Sequence, residues 1–247
     1  MGHITNSLGQ PIGLPVPGWT PRPHPPRTAC EGRTCRVEPL DPDRHANDLH
    51  RAYREDREGR IWTYLAYGPF EDIAEYRGWM ERTCLSADPL FHAIIDLESG
   101  RAVGVASLMR IDPEVGSIEV GHINYSPALQ GTIAATEAMF LLMQRVFDEL
   151  GYRRYEWKCD ALNARSRCAA ERLGFSYEGT FRQATLYKGR NRDTAWFSLL
   201  DREWPAVCAD LERWLAPANF DALGCQRTRL TDLSRQARAA DPAHGLA

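Results

Sequence analysis

The sequence of 247 residues is long enough for one large domain or two small ones, and 43% of it is hydrophobic against 26% charged. This composition excludes a collagen, a fully disordered chain and a disulfide-knotted mini-protein. The formal net charge of −3 gives no overall attraction to nucleic acid or to an acidic membrane, so we expect neither as a partner.

Signals for export and membrane insertion are absent from the sequence pattern. The longest uninterrupted apolar run, residues 138–143, is far shorter than the ~20 apolar residues that span a bilayer. No basic segment followed by an apolar one opens the chain, so we expect no signal peptide. The seven cysteines are scattered without a Cys-x-x-Cys pair, which favours reduced thiols, a cytoplasmic location and no metal site.

The two ends of the chain differ in composition from its middle. Seven of the sixteen residues from 11 to 26 are proline, which predicts an extended arm over residues 1–33. The apolar residues Leu14, Val16 and Trp19 suggest that this arm lies along a surface. After a closing helix and loop at 205–225, residues 226–247 contain no aromatic residue and are predicted to form a frayed helix or a flexible tail.

The middle, residues 34–204, alternates strand and helix patterns and is predicted to form one domain. Apolar alternation and bounding turn residues predict strands at 34–39, 91–97, 101–111, 117–125, 152–159, 175–188 and 193–200. Helical spacing and capping residues predict helices at 43–57, 70–85, 135–150, 163–174 and 204–215. The three strands between 91 and 125 are expected to form an antiparallel meander.

Two strand–helix junctions carry residues that could bind a ligand or take part in catalysis. Small residues crowd the loop and first helical turn after the strand at 117–125, where they let a phosphate approach free backbone N–H groups at the positive end of the helix dipole. The same composition also allows a helix to pack tightly against a sheet. The second junction holds Asn163 and Ser166, which could cap the short helix or face a ligand.

Together the two junctions resemble the GNAT superfamily of acyl-CoA-dependent N-acetyltransferases, and within it the branch of the RimJ and RimL ribosomal-protein acetyltransferases. The matching motifs are Asn163-x-x-Ser166, Glu171-Arg172-Leu173-Gly174-Phe175 and Thr136-Glu137-Ala138. Gln130 and Ala135 match the pyrophosphate signature of the family, whereas Ile133 stands where glycine is expected. The resemblance covers roughly residues 34–204.

The resemblance implies an α/β (α+β) fold with a mixed, mostly antiparallel sheet flanked by helices, and two strands splayed apart to admit acetyl-CoA. The pantetheine arm would pair with Ile123, Asn124 and Tyr125, and Asn163 would bind that arm or a catalytic water. The pyrophosphate would meet Gln130, Gly131, Thr132, Ile133, Ala134, Ala135 and Thr136. We expect this anion site to rely on backbone amides, because the sequence shows no strongly basic face.

The resemblance also implies direct attack of an amine on the thioester, without a metal. A backbone N–H near Ile123 or Asn124 would polarise the acetyl oxygen, and Ser166 would protonate the departing thiolate. An amine is mostly protonated at neutral pH, so a base or a water chain must take its proton.

Several residues are candidates for that base. Glu119 and His122 both lie on the strand at the splay, but their odd spacing puts them on opposite faces unless a bulge intervenes. His122 has the better intrinsic pKa. Asp160 and Glu178 on the later strands are alternatives.

The acceptor amine is left open as a protein or peptide N-terminus or a small molecule. Candidate contacts are Tyr64, Tyr67, Trp157, Asp160, Glu178 and Arg182, with Trp62, Tyr187 and Trp196 as further aromatic residues. Trp157 and Trp196 are more typical of a core. Two other functions stay open: a non-catalytic acyl-CoA-binding module on the same fold, and an acyl hydrolase using Cys159 or Cys168. We expect a monomer or a homodimer.

Overall fold

The computed structural model describes residues 3–233, so the last part of the predicted tail, residues 234–247, lies outside the described residues. The strands within them are β1 (His3–Thr5), β2 (Pro11–Gly13), β3 (Cys30–Glu31), β4 (Cys35–Pro39), β5 (Leu90–Asp96), β6 (Arg101–Asp112), β7 (Ser117–Tyr125), β8 (Arg154–Asp160), β9 (Ser176–Tyr187) and β10 (Arg190–Leu200). The α-helices are α1 (Pro42–Tyr53), α2 (Ile73–Thr83), α3 (Ile133–Gln144), α4 (Ala164–Arg172) and α5 (Trp204–Leu215).

Eight of the strands form one sheet, in the order β3-β4-β5-β6-β7-β8-β10-β9. Among the pairs formed by residues 3–233, β7 and β8 alone run parallel, and the other neighbours are antiparallel. β1 and β2 make a separate exposed hairpin. The mixed, mostly antiparallel sheet confirms the predicted fold class.

Helices cover both faces of the sheet and close a core on each. Ile94 of β5 packs in the core under α3 and α5, whereas its neighbours Ala93 and Ile95 pack in the core under α1 and α2. This alternation follows from the period of two along a strand. Because both faces of β5 are covered, its first six residues are buried without a break. No helix within residues 3–233 is long and apolar enough to cross a membrane.

Element boundaries shift from the predicted ones where a cap or a turn decides them. α3 begins at Ile133, two residues early, because the Thr132 hydroxyl accepts a hydrogen bond from the Ala135 amide at 3.1 Å. β10 begins at Arg190 instead of 193, because the turn consists of Lys188 and Gly189. Both turn residues have left-handed φ angles, 49° and 69°, as a two-residue hairpin turn requires.

The predicted separation of two strands is present between β7 and β8. Their pairing begins at Ser117 and Arg154 and ends at Val120 and Trp157, although both strands continue further. Beyond that point the strands diverge, and the backbone of β7 on the β8 side has no strand partner within the described chain. The divergence opens a cleft at the carboxyl ends of the only parallel pair in residues 3–233.

A β-bulge interrupts β7 at the mouth of this cleft. Ser107 of β6 pairs with Gly121, whereas Val105, two residues earlier, pairs with Asn124, so β7 carries one extra residue. His122 takes up the irregularity with a φ of 50°, which is uncommon for a residue other than glycine. The bulge changes the alternation of side chains along β7 at the point where the strand reaches the cleft.

Both ends of the chain contact the body more extensively than a free arm and tail would. Cys30 and Glu31 of the predicted arm add β3 to the sheet, and the Trp19 indole donates to the Glu114 carbonyl at 2.8 Å. At the other end, Leu230 of the predicted tail is 2% exposed and belongs to the core under α3 and α5. The described part of the predicted tail is therefore packed against the domain.

Candidate active site

The divergence of β7 and β8 opens into a cleft of about 1620 Å³. Its walls are the ends of the two strands, the first turns of α3 and α4, the loop around residues 60–67 and the chain segment around residues 220–232. The loop lies at one end of the cleft, beside His122, and the segment lies beside α5. The cleft therefore brings together parts of the chain that are far apart in sequence.

The residues expected to bind the coenzyme almost all line this cleft. Those that do are Ile123, Asn124, Tyr125, Gln130, Gly131, Thr132, Ile133, Ala135, Thr136 and Asn163, whereas Ala134 does not and is 6% exposed in the core. Gly131 has a left-handed φ of 75° where the loop turns into α3. Ile133, which departs from the family signature, is already the first helical residue, so its backbone conformation does not require glycine.

Some of the groups expected to bind phosphate and pantetheine already have protein partners. The Ala135 amide donates to Thr132, and the Gln130 side chain donates to the Tyr125 carbonyl at 2.8 Å. The Asn124 carbonyl accepts from the Tyr53 hydroxyl at 3.1 Å. In contrast, both polar atoms of the buried Asn124 side chain lack a hydrogen-bond partner within residues 3–233. Unpartnered buried amides are costly, so a polar ligand beside Asn124 would stabilise it.

Asn163 and Ser166 are held together at the start of α4. The Asn163 side chain caps the helix by accepting from the Ser166 amide at 3.1 Å. The Trp157 indole, 4% exposed, donates to the Ser166 hydroxyl at 3.0 Å. Trp157 is a predicted substrate contact, and in this arrangement its indole N–H donates to Ser166 and orients it.

The bulge in β7 brings both base candidates to the same cleft, as their lining positions show. His122 lies between the rings of Phe91 and Tyr67, with centroid distances of 4.8 and 5.6 Å, and its Nδ1 is 3.3 Å from the Tyr67 hydroxyl. Burial and, to a lesser extent, the nearby Arg110 guanidinium together lower the pKa of His122 to about 4. The imidazole is therefore neutral at physiological pH.

Glu119 lies in a buried network of charges that the sequence did not reveal. Its carboxylate contacts the Lys158 ammonium at 2.8 Å and the Arg110 guanidinium at 2.6 Å. The same ammonium contacts Glu156 at 2.7 Å and lies 3.7 Å from the centre of the Trp196 ring. Lys158 lies where β8 diverges from β7. In the sequence, the signal for this charge network is a lysine on a strand that is otherwise rich in buried residues.

On the expected acceptor side, Tyr64, Tyr67 and Asp160 line the cleft with Trp157. The Asp160 carboxylate accepts from the Tyr187 hydroxyl at 2.7 Å and from the Leu162 amide at 2.9 Å. Burial first, and then this carboxylate, raises the pKa of Tyr187 to about 12. Asp160 is thus held by two donors.

The hairpin between β9 and β10 closes onto the loop on the same side. Lys188 donates to the Trp62 carbonyl at 2.8 Å, and Arg190 donates to the Thr63 carbonyl at 2.7 Å. Glu178 and Arg182, which were also expected at the acceptor site, are exposed on β9 and do not line the cleft. Glu178 instead forms a two-pronged ion pair with Arg154.

The cysteines do not form a nucleophilic or metal-binding arrangement in the described part of the chain. Burial raises the pKa of Cys159, so its thiol is less reactive than an ordinary cysteine. Cys168 is exposed on α4 and does not line the cleft. Within residues 3–233, no three His, Cys, Asp or Glu side chains are grouped to hold a metal ion.

The cleft is basic, contrary to the expectation that backbone amides alone would supply the positive potential. Eight Lys or Arg residues line it against four Asp or Glu residues, in a chain whose net charge is −3. The eight are Arg60, Arg110, Lys158, Arg165, Arg172, Arg192, Arg227 and Arg229. They come from six different parts of the chain, which is why no basic run appears in the sequence.

Comparisons with known proteins all lead to one family. Residues 35–176 match the family model described as an acetyltransferase (GNAT) domain. The uncharacterized N-acetyltransferase p20 of Bacillus licheniformis is 30% identical over 147 residues, which are 58% of this chain and 82% of that protein. YdaF of Bacillus subtilis (strain 168), named as a candidate ribosomal N-acetyltransferase, is 32% identical over 108 residues, 44% of this chain and 58% of its own length.

A solved structure extends this similarity over most of the chain. The crystal structure of a GCN5-related N-acetyltransferase from Brucella melitensis is 49% identical, with a TM-score of 0.87. The match covers 89% of this chain and all of the other. The fold and cleft define an acyltransferase, and the chain belongs to the GNAT family of N-acetyltransferases.

Proposed function

We propose that this N-acetyltransferase moves the acetyl group of acetyl-CoA to a primary amine by direct attack on the thioester. The observation that carries the proposal is the group formed by Trp157, Asn163 and Ser166 at the mouth of the divergence between β7 and β8. This group holds one hydroxyl in a fixed orientation beside the expected path of the thioester.

The proposed path of acetyl-CoA follows the cleft. The pantetheine arm would lie along β7 beyond Val120, where the strand backbone has no partner on the β8 side within residues 3–233. The unpartnered side-chain amide of Asn124 is chemically suited to the amide groups of pantetheine. The pyrophosphate would lie at the start of α3, where helix dipole and cleft charge are both positive.

Ser166 would protonate the sulfur of the departing coenzyme. The amine nitrogen attacks the thioester carbonyl carbon, the C–S bond then breaks, and the thiolate takes the hydroxyl proton of Ser166. Because an indole N–H can only donate, the Trp157 hydrogen bond uses a lone pair of Ser166 and does not use its proton. The amine nitrogen loses a proton, which returns to Ser166 through solvent.

Glu119 and His122 would order the water that accepts this amine proton. Both line the cleft, Glu119 as a carboxylate between two cations and His122 as a neutral imidazole. The low pKa of His122 makes its imidazole a weak base, which favours proton removal through water over direct transfer to that ring.

The acceptor would enter between the loop with Tyr64 and Tyr67 and the β9–β10 hairpin. We propose a protein or peptide N-terminus ahead of a small-molecule amine, on the RimJ/RimL-like motifs and on the name of the relative YdaF. We also propose a cytoplasmic location, in keeping with seven unpaired cysteines.

Replacing Ser166 by alanine tests the proposed acid. We expect kcat for acetyl transfer to fall about 10²-fold, because general acid catalysis contributes on that scale. The Kd of acetyl-CoA, measured by calorimetry, should change less than about three-fold, because the hydroxyl acts mainly when the thiolate forms.

Two further variants keep this test decisive. Ser166→Thr retains a hydroxyl and should recover part of the kcat lost in Ser166→Ala. Such a recovery shows that the loss in Ser166→Ala comes from the missing hydroxyl and not from misfolding. Cys159→Ala removes a neighbouring thiol and should leave kcat within about two-fold. An unchanged kcat in Ser166→Ala would refute the acid assignment, and loss of activity in Cys159→Ala would favour a cysteine-dependent hydrolase.

A further inference from the structure

The chain continues past the matched family domain, and residues 217–232 return to the cleft. We propose that this segment, called here the C-terminal strap, binds the 3′-phosphate of coenzyme A through Arg227 and Arg229. The family match ends at residue 176, so neither arginine belongs to it. The inference rests on the proposed use of acetyl-CoA and specifies which part of that molecule the strap would bind.

The C-terminal strap is fixed to α5 by polar contacts. The Asn219 side chain donates to the Trp214 carbonyl at 2.9 Å and accepts from the Thr228 amide at 2.9 Å. The Trp214 indole donates to the Gln226 side chain at 2.8 Å. Leu230, buried in the core, anchors the far end of the strap. Arg227 and Arg229 therefore project from an ordered backbone and need less ordering to bind a ligand.

A continuous set of contacts connects the C-terminal strap to the proposed pyrophosphate site. Arg172 of α4 donates to the Thr136 hydroxyl in the first turn of α3 at 3.0 Å. The same guanidinium lies 4.7 Å from the centre of the Trp214 ring, which holds Gln226. The strap is thus connected through Trp214 and Arg172 to the start of α3, where the pyrophosphate would lie. In coenzyme A, the pyrophosphate joins the pantetheine arm to adenosine 3′-phosphate.

The side chains of Arg227 and Arg229 are suited to that group. Both arginines line the cleft and are exposed, and neither guanidinium has a hydrogen-bond or ion-pair partner within residues 3–233. The neighbouring Arg172, in contrast, is engaged by Thr136 and Trp214. Asp232 is the one acidic residue that the strap contributes to the cleft lining. Guanidinium groups bind phosphate through paired, charge-assisted hydrogen bonds, so two neighbouring arginines suit a phosphate monoester dianion.

The test compares coenzyme A with 3′-dephospho-coenzyme A, which differ only in this phosphate. Titration calorimetry at constant ionic strength gives the Kd of each for the full-length protein. We expect the unmodified protein to bind coenzyme A at least about 10-fold more tightly. The double variant Arg227→Gln, Arg229→Gln should weaken coenzyme A about 10-fold and dephospho-coenzyme A by less than about two-fold.

A matched control removes the same charge elsewhere. Arg101 and Arg202 are exposed, lie outside the cleft lining, and have no side-chain partner among residues 3–233. Arg101→Gln, Arg202→Gln should leave both Kd values and their ratio unchanged. The inference is overturned if the arginine pair weakens both ligands equally or neither. If the unmodified protein binds neither ligand, the proposed function is contradicted as well. If the double variant keeps the preference for coenzyme A over dephospho-coenzyme A, only the role of the strap is contradicted.

Discussion

At the scale of single residues, the proposed route of the amine proton depends on the neutral imidazole of His122. Its pKa of about 4 follows from burial between Phe91 and Tyr67 and from the Arg110 charge. Above pH 5 the imidazole is neutral and too weak a base to hold a proton taken from the amine, although its ring nitrogens still bind water. The proton of the amine then leaves according to the pKa of the amine, and an α-amino group titrates near 8.

The pH dependence of kcat/KM should therefore reflect the acceptor and not His122. We expect kcat/KM to rise with pH as the amine deprotonates, with no inflection near the ordinary histidine pKa of ~6.5. His122→Gln should lower kcat/KM and keep the shape of the profile, since glutamine can still bind water. An inflection near ~6.5 that disappears in the variant would identify His122 as a conventional base.

At the scale of elements, most of the fold could be predicted because periodicity and caps are local signals. β7 and α5 were predicted with the bounds they have, and the divergence of β7 from β8 followed from the family resemblance. From the sequence, the bulge at His122 could only be stated as a condition for Glu119 and His122 to lie on the same face. An inserted residue cannot be recognised in the alternation of side chains along a strand. That single irregularity decides whether Glu119 and His122 share the cleft.

The charges of the site were predictable only in part. Asn163 and Ser166 are neighbours along one helix turn, so their proximity is a local property. Lys158 on β8 contacts Glu119 on the neighbouring strand β7, and Arg172 contacts the Trp214 ring, which in turn holds the C-terminal strap. Both arrangements therefore depend on tertiary packing. Glu178 was misplaced for the same reason, since its partner Arg154 lies across β10 on the next strand but one.

At the scale of the whole molecule, the N-terminal arm contacts the domain away from the cleft. Trp19 lies against the turn before β7, where a Cβ on Gly116 would come within 2.3 Å of its ring. The Arg22 guanidinium covers the ring at 4.4 Å, and the Tyr152 hydroxyl donates to the Pro23 carbonyl at 3.2 Å. Trp19, Arg22 and Gly116 do not line the cleft, whose first lining residue on β7, Glu119, lies roughly 10 Å along the chain from Gly116, so the arm and the cleft are separate sites.

Trp19→Ala should therefore reduce stability without altering catalysis. We expect the free energy of unfolding to fall by about 1–3 kcal/mol, because the variant loses the ring contacts and the hydrogen bond to Glu114. Trp19→Phe keeps a ring and should lose about 1 kcal/mol or less. Denaturant unfolding measures both, and the KM for acetyl-CoA should not change. Equal stability of all three proteins would show that the arm does not dock, and a raised KM would place it near the cleft.

The most direct test of the account is acetyl transfer itself, assayed with a panel of peptide N-termini and small primary amines. Thiol release measures the breaking of the thioester, and mass spectrometry of the acceptor identifies the N-acetyl product. We predict thiol release matched mole for mole by acetylation of at least one class of amine. Stabilisation of the protein by acetyl-CoA with no amine acetylated would contradict the account, as would thiol release without an acetylated acceptor.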